Sequence, residues 1–435
     1  MSCFISAKKI LIAYLCLSFF LAIGIPFSLA EELKAIEDSQ REKAMAMALE
    51  LKEAEKKLTE RQPSWKIDEE KKIKESKSPF YLQGYYKNLL VNSKTTDTDQ
   101  GLFYDLNRLR LDCRLDLTET LQFKAVFDQE ALFNDFSQDI DFQAVRSRNQ
   151  KHTALLDGDY IYADNKHIYS KFSLYRGYFK YSGERIQAVF GKQLVDWGRC
   201  RFWSPMDLFN PVNPTDIEKD ERIGVDALNT EFSLSPQTNL NFVYAPRRTF
   251  ATSSLGMKLF HQVGEFDLIL IGGEFKKDEV FGFGFDGYLG NGSIRGEFTQ
   301  THANKGRDYF RGTIGGEYSF SNRVHVLAEY FFNGGANDSD PTAFITSYNY
   351  ASDVLTLKKN LLGLLVDYEV TPLIKWDNYV IYDFDGKSVF FNPEVRYNIW
   401  KNFDLSVGMQ LFWGNSNSEF GDYQNTYYLQ GKLFF

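Results

Sequence analysis

Phe403-Asp404-Leu405-Ser406-Val407-Gly408-Met409-Gln410-Leu411-Phe412-Trp413 is the stretch whose reading decides the fold. Phe403, Leu405, Val407, Met409, Leu411 and Trp413 fall on one face of an extended chain, and Asp404, Ser406, Gly408 and Gln410 on the other. Successive side chains of a strand point to opposite faces, so this is a strand greasy on one side and wet on the other. Residues 108–117 repeat the pattern with charge: Leu109, Leu111, Cys113, Leu115 and Leu117 alternate with Arg108, Arg110, Asp112, Arg114 and Asp116. A soluble sandwich gives such alternation in a few strands. Here it runs from Pro79 to the last residue.

Composition agrees. Aromatic residues make up 16% of the 435-residue chain, with 39 Phe and 25 Tyr. Yet no stretch beyond residue 30 reaches the roughly 18 apolar residues of a spanning helix. A barrel that shows its apolar side chains to lipid and its polar ones to an inner lumen reconciles the two facts. The segments between 79 and 435 count to about eighteen antiparallel strands, with sixteen as the alternative; the stretches near 134–167 and 335–354 read as loops that could hide further strand pieces. Short connections such as Thr118-Glu119, Ser182-Gly183-Glu184, Gly290-Asn291 and Lys401-Asn402 alternate with longer ones. With both termini in the periplasm, every short turn falls on that side. Closure is required, because an open sheet edge in lipid leaves unpaired backbone groups at several kcal/mol each.

The N-terminus sets the compartment. Lys8 and Lys9 precede an apolar run from Ile10 to Ile25, and Phe27-Ser28-Leu29-Ala30 leads into Glu31 and Glu32. This reads as a secretory signal peptide over residues 1–30, cleaved after Ala30. Residues 31–78 read as a periplasmic helix and a charged linker. Ala44, Met47, Leu51, Ala54 and Leu58 make a coiled-coil-like seam, weakened by Glu37 and Gln40, before Pro63 ends the helix. Either a tether or a self-associating helix fits, the latter giving a homo-oligomer such as a trimer, through the helix or through the barrel wall. The formal net charge of −8 speaks against nucleic acid, which needs basic stripes. Beyond the signal peptide only Cys113 and Cys200 remain, on different segments, and no bond between them is expected.

The chain ends in Tyr427, Leu429, Gly431, Leu433 and Phe435, alternating up to a terminal phenylalanine. This resembles the C-terminal signal of outer-membrane barrels, and the resemblance implies recognition by the barrel-assembly machinery and insertion into outer-membrane lipid. Residues 191–214 contain Gly191, Gln193, Trp197, Gly198, Asn210, Pro211, Asn213 and Pro214. That segment resembles the Gly-Arg-Gln…Trp-Gly…Asn-Pro pattern of several poorly characterised proteobacterial porin-like families, alginate-export-like barrels among them. Lys192 stands where the pattern usually has Arg. The resemblance covers some 25 residues and implies a Gram-negative porin-like barrel with a loop folded at or into its mouth.

Residues 194–222 are therefore the candidate constriction. Three prolines and several Asn and Asp residues favour a rigid loop. Trp197, Phe202 and Trp203 are expected to pin it to the wall, leaving Asp196, Arg199, Arg201 and Asp207 to solvent; an ordinary outer loop held by its own aromatic cluster is the plainer reading. A second candidate set lines the lumen from the strands: Arg108, Arg110, Arg114 and Lys124, interleaved with Asp112, Asp116, Asp128 and Glu130. Opposed rows of charge would set up a transverse field that sorts solutes, whereas a plugged lumen would stitch them into salt bridges.

Catalytic constellations are missing from the sequence. His152, His167, His261, His302 and His325 have no near neighbours among themselves, and no Gly-x-Ser-x-Gly, Cys-x-x-Cys or His-Glu-x-x-His occurs. Asp216, Glu218, Asp220 and Glu221, or Asp338 and Asp340, would suit a loop calcium or plain solvated charge. No enzyme activity, cofactor or structural metal is expected. The function expected is passive diffusion of small hydrophilic solutes. The alternatives are a structural barrel that sheathes a multihaem cytochrome or tethers the cell wall, and a substrate-specific exporter or importer.

Overall fold

The computed structural model describes residues 79–94, 101–134, 155, 158–165, 167–211, 213–218, 222, 224–247, 252–336 and 356–435. The signal peptide, the N-terminal helix and the linker, along with Asp220, Glu221, Asp338 and Asp340, lie outside these residues.

Among the described residues nineteen strands form a single antiparallel sheet. The first nine are β1 (Phe80–Lys94), β2 (Gly101–Asp116), β3 (Leu121–Asn134), β4 (Asp159–Asp164), β5 (Ile168–Ser182), β6 (Ile186–Gln193), β7 (Val225–Ser235), β8 (Thr238–Ala245) and β9 (Ser254–Val263). Then come β10 (Phe266–Phe275), β11 (Asp278–Leu289), β12 (Gly292–His302), β13 (Tyr309–Ser319) and β14 (Val324–Asn333). The last are β15 (Asn360–Thr371), β16 (Ile374–Asp383), β17 (Ser388–Trp400), β18 (Phe403–Trp413) and β19 (Thr426–Phe434). β19 pairs back onto β1, with Tyr85 opposite Phe434 and Asn92 opposite Tyr427, so the sheet closes. Gly84 and Phe435 exchange both backbone hydrogen bonds at 2.9 and 3.0 Å and complete the seam.

Eighteen strands form the barrel and β4 is an addition to it. β5 pairs with β6 only over Gly177–Ser182. Where β6 leaves the wall, β4 takes its place against Tyr169–Ser173. Asp159-Tyr160-Ile161-Tyr162-Ala163-Asp164 lies inside a stretch that reads as loop in the sequence.

The outer face is apolar over most of its extent, interrupted on β1 and β2 by Asn88, Asp105 and Asn107, which hydrogen-bond to one another. Phe190, Leu270, Phe281, Val407 and Trp413 stand uncovered on it. Patches of that extent in water are foreign to soluble monomers, whereas lipid accepts them. Uncovered aromatic residues gather at both rims, Tyr288, Phe320, Trp376 and Trp400 at one and Tyr160, Tyr330, Phe384 and Trp413 at the other, as the girdles of membrane barrels do. No helix among the described residues is long and apolar enough to cross a membrane. Two connections at the long-loop end depart from the expected segregation of turns, the four residues 384–387 between β16 and β17 and a still shorter one. Lys276-Lys277 joins β10 to β11 at the long-loop end as a tight turn, both residues at positive φ, 53° and 84°. Positive φ at both central positions is what a two-residue hairpin matched to strand twist demands.

Candidate functional site

After Gln193 the chain turns inward, and the described residues between 194 and 224 cross the lumen. The first anchors are apolar. Val195, Trp197, Met206 and Phe209 pack with Val243, Ile269, Ile271 and Phe275 of the wall. Phe202 and Trp203 join Leu327, Phe331, Leu361, Ile381 and Phe390 on the adjoining part of the wall. Trp197 meets Phe209 edge-on at 5.0 Å, and its Nε1–H donates to Asn241 Oδ1 on β8 at 3.0 Å. Three of these anchors sit over lumen-facing glycines. A Cβ at Gly256 would stand 2.6 Å from the Trp197 ring, one at Gly284 2.7 Å from Met206 Sδ, and one at Gly363 2.6 Å from the Phe202 ring. At those positions only the missing side chain leaves room for the loop.

Polar anchors fix the turn between the two apolar clusters. Glu297 of β12 is fully buried. Its Oε1 accepts the N–H groups of Arg199 and of Cys200, the latter at 2.8 Å. Its Oε2 accepts Ser204 Oγ at 2.6 Å and Met206 N–H at 3.1 Å. Glu329 of β14, equally buried, accepts the N–H groups of Arg201 and Phe202, each at 2.8 Å. A carboxylate taken out of water costs free energy unless several donors meet it, and the loop backbone supplies them. Thr313 Oγ1 on β13 donates to the Trp203 carbonyl at 2.8 Å. On the far side, Gln410 Nε2 on β18 donates to the Thr215 carbonyl at 2.7 Å. Glu218 is gripped there by Lys87 of β1 and Arg108 of β2, the latter at 2.7 Å. One loop is thus tied to strands around most of the barrel.

The sequence-predicted residues fall as follows. Trp197 and Trp203 are buried anchors, while Asp196, Arg199 and Arg201 are exposed. Asp207, expected in solvent, is buried at 3% exposure. Arg222 clamps it at 2.7 Å and reaches Asp196 at the same distance, so one guanidinium joins the two ends of the loop. Burial pushes the Asp207 carboxyl well above the usual carboxylate range, and the neighbouring Asp196 adds to the shift against the pull of Arg222. Burial likewise raises the Cys200 thiol, with Glu297 and Glu329 beside it; Cys200 and Cys113 are both free thiols.

On β2 and β3 the charged residues pair instead of facing one another across open water. Arg110 and Asp128 are joined in a two-point contact, and the Arg110 guanidinium lies 3.6 Å above the Tyr175 ring. Arg108 holds Glu130 at 2.7 Å, Lys124 holds Asp112 at 2.9 Å and Arg114 approaches Asp116 at 3.4 Å. Arg108 and Asp128 are buried beneath the end of the loop. The expected field of two open rows gives way to a stitched wall, because neighbouring strands bring opposite charges within contact. Glu218, read as a loop charge or calcium ligand, is part of that stitching. The C-terminal residues Tyr427, Leu429, Leu433 and Phe435 face outward and Gly431 lies opposite Asn88 in the closing seam.

Sequence reasoning missed Glu297, Glu329, Arg222 and the three glycines. The signal was present as a lone carboxylate at the centre of an inward-facing row, Gly296-Glu297-Phe298 and Ala328-Glu329-Tyr330. On the short-turn side of the loop a cavity of about 1110 Å³ opens, with Arg199, Arg201, Asp267, Asp286, Glu317 and Asp367 among its lining.

The sequence matches no protein-family profile and no curated relative. Solved structures do resemble it. Acinetobacter baumannii OccAB4 superposes with a TM-score of 0.53 at 11% identity, over 83% of this chain and 99% of that one. The fold is that of a porin-like outer-membrane barrel. Pseudomonas aeruginosa OccK8 (OprE) gives a TM-score of 0.49 at 8% identity, over 82% and 98% of the two chains. A triple mutant of Rhodopseudomonas blastica porin gives 0.43 at 12% identity, over 82% and 100%. At these identities the likeness is one of fold, and the first alone carries weight.

Proposed function

We propose that this porin-like barrel lies in the outer membrane as a passive channel for small hydrophilic solutes, narrowed by residues 194–224. The observation that carries the reading is the loop itself, fixed across the lumen by Glu297, Glu329 and Glu218 beside a polar cavity of about 1110 Å³. A cavity of that size holds a small solute with its water and leaves no passage for a folded protein. This disfavours a sheath around a multihaem cytochrome. A loop tied at so many points also favours a selective channel over a wide general pore.

In this reading the short turns and both termini face the periplasm, after removal of residues 1–30. The terminal Tyr427–Phe435 stretch serves the barrel-assembly machinery, and any trimer forms through the helix or the barrel wall. No covalent chemistry is assigned to any residue. The test is planar-bilayer recording of the purified full-length protein. Stepwise conductance is expected, larger when residues 194–222 are replaced by a short glycine-serine linker. Silent bilayers after insertion has been verified would defeat the channel.

A further inference from the structure

Two charged layers follow one another along the lumen. Arg199 and Arg201 make up the first. Their backbone N–H groups are held by Glu297 and Glu329, and both side chains are exposed to the cavity they help to line. Among the described residues neither guanidinium forms an ion pair. Arg222, the other described basic residue of the loop, is by contrast neutralised by Asp196 and Asp207.

The second layer is acidic and lies toward the short turns. Asp286 is opposite Arg295, two residues below Glu297, and Glu317 is opposite Leu327, two residues below Glu329. Two residues of strand span about 7 Å, so the carboxylates stand one tier beneath the arginines. Asp267 is directly across from Asp286, and Asp367 directly across from Asp377. Like charges placed opposite each other destabilise a sheet, and the barrel would fold more readily with amides there. Arg295 and Lys375, with His325 when it is protonated, offset part of the layer, while Asp267 has no basic partner among the described residues.

We infer that Arg199 and Arg201, with the acidic tier of Asp267, Asp286, Glu317 and Asp367, select solutes that carry both an anionic group and an ammonium group. A simple cation is repelled at the arginines and a simple anion at the carboxylates. A zwitterion meets an opposite charge at each layer and leaves water at lower cost than either. Rings of one sign admit ions of the other; two successive layers of opposite sign admit molecules that bear both. The inference rests on the channel reading and narrows its solute class.

The experiment is uptake of labelled taurine, isethionate and choline into proteoliposomes holding the full-length protein. Taurine and isethionate differ in the ammonium group alone, and choline lacks the anion. Taurine is expected to enter about threefold faster than either, the scale that partly solvated charge contacts allow. Arg199→Gln with Arg201→Gln should raise choline and abolish its deficit against taurine. Asp267→Asn with Asp367→Asn should do so for isethionate instead. Heat-modifiable migration in gels checks that each variant is folded. Equal rates for the three solutes in the native protein, or a preference that survives both variants, would overturn the inference and leave the channel standing. No uptake of any solute together with silent bilayers would remove channel and inference alike.

Discussion

Trp203 of the inner loop lies face to face with Phe331 of β14, ring centroids 5.4 Å apart and planes 13° from parallel. A loop that merely rested at the mouth would have no need of a fully buried tryptophan on the barrel's inner wall. The pair marks where the chain gives up hydration on both surfaces to hold one position.

Trp203→Ala removes that anchor. A buried tryptophan truncated to alanine costs about 3–5 kcal/mol, and here the loss falls on loop attachment, since β12 and β14 keep their ladder partners. Trypsin should then cleave after Arg199 or Arg201 in the folded barrel, and the open-channel current should become noisier. A loop as resistant to trypsin as the native one would show the stacking to be dispensable.

Glu297→Gln strikes the polar half of the same attachment. The carboxylate accepts four hydrogen bonds from the loop, and a carboxamide turns an NH2 toward donors. With hydrogen bonds to a charged group worth ~1.5–3 kcal/mol each, losing two is enough to free the turn. Hydrogen exchange at the amides of Cys200 and Met206 should rise by orders of magnitude while β12 exchanges as before.

The strand rhythm was legible because lipid and water impose opposite demands on alternate residues, as in Phe403–Trp413. The face of each residue was legible too. Arg108, Asp128 and Glu130 do point inward, but the alternation says nothing of which inward charges touch across strands. Asp159–Asp164 reads in the sequence as no more than part of a loop that could hide a strand piece, because six residues are too few for a rhythm, and their place as a strand depends on β6 turning inward at Gln193. Glu297 and Glu329 were hidden for a related reason. Each looks like one more lumen charge until the loop, almost a hundred residues or more away in sequence, brings its amides to them.

Gly363→Ala tests the fit of loop to wall directly. The new methyl would stand 2.6–2.7 Å from three atoms at the base of the Phe202 ring, which has no flexible end to swing aside. Overpacking of this kind costs about 1–3 kcal/mol. Tryptophan fluorescence should report a changed Trp203 environment with the barrel melting point nearly unchanged; native fluorescence would mean the wall yields instead.

Arg110→Ser separates the stitched wall from an open row of charge. Asp128 is buried at 2% exposure, and Arg110 is its bidentate partner. Its removal leaves the buried carboxylate only Arg108, 3.9 Å away, and breaking a buried ion pair costs about 3–5 kcal/mol. The variant should therefore unfold at lower urea in lipid vesicles, and adding Asp128→Asn should recover much of the loss. A reversal potential displaced strongly toward cations, with stability intact, would restore Arg110 to a role in ion selection.

Glu419 carries a pH dependence with a definite sign. It lies between β18 and β19, where its Oε2 accepts the Lys358 N–H at 2.8 Å and its own N–H donates to Asp383 Oδ2 at 3.1 Å. Phe420 beside it packs with Phe202 and Trp203. Burial, reinforced by the Asp383 charge, lifts the Glu419 carboxyl from 4.5 to about 8 despite the Lys358 amide. A group raised in the folded state favours that state fully below its unfolded value and loses the contribution as pH rises through the folded one. Attachment of this outer segment should accordingly be complete near pH 4.5, weaken steadily toward pH 8 and be weakest above it, a span on the order of 5 kcal/mol. Glu419→Gln, uncharged at every pH, should flatten the profile. Hydrogen exchange of the Lys358 and Phe420 amides, corrected for intrinsic base catalysis at pH 5, 7 and 9, reads the difference. Protection that strengthens with pH in the native protein would reverse the sign and place an ionised Glu419 in the folded barrel.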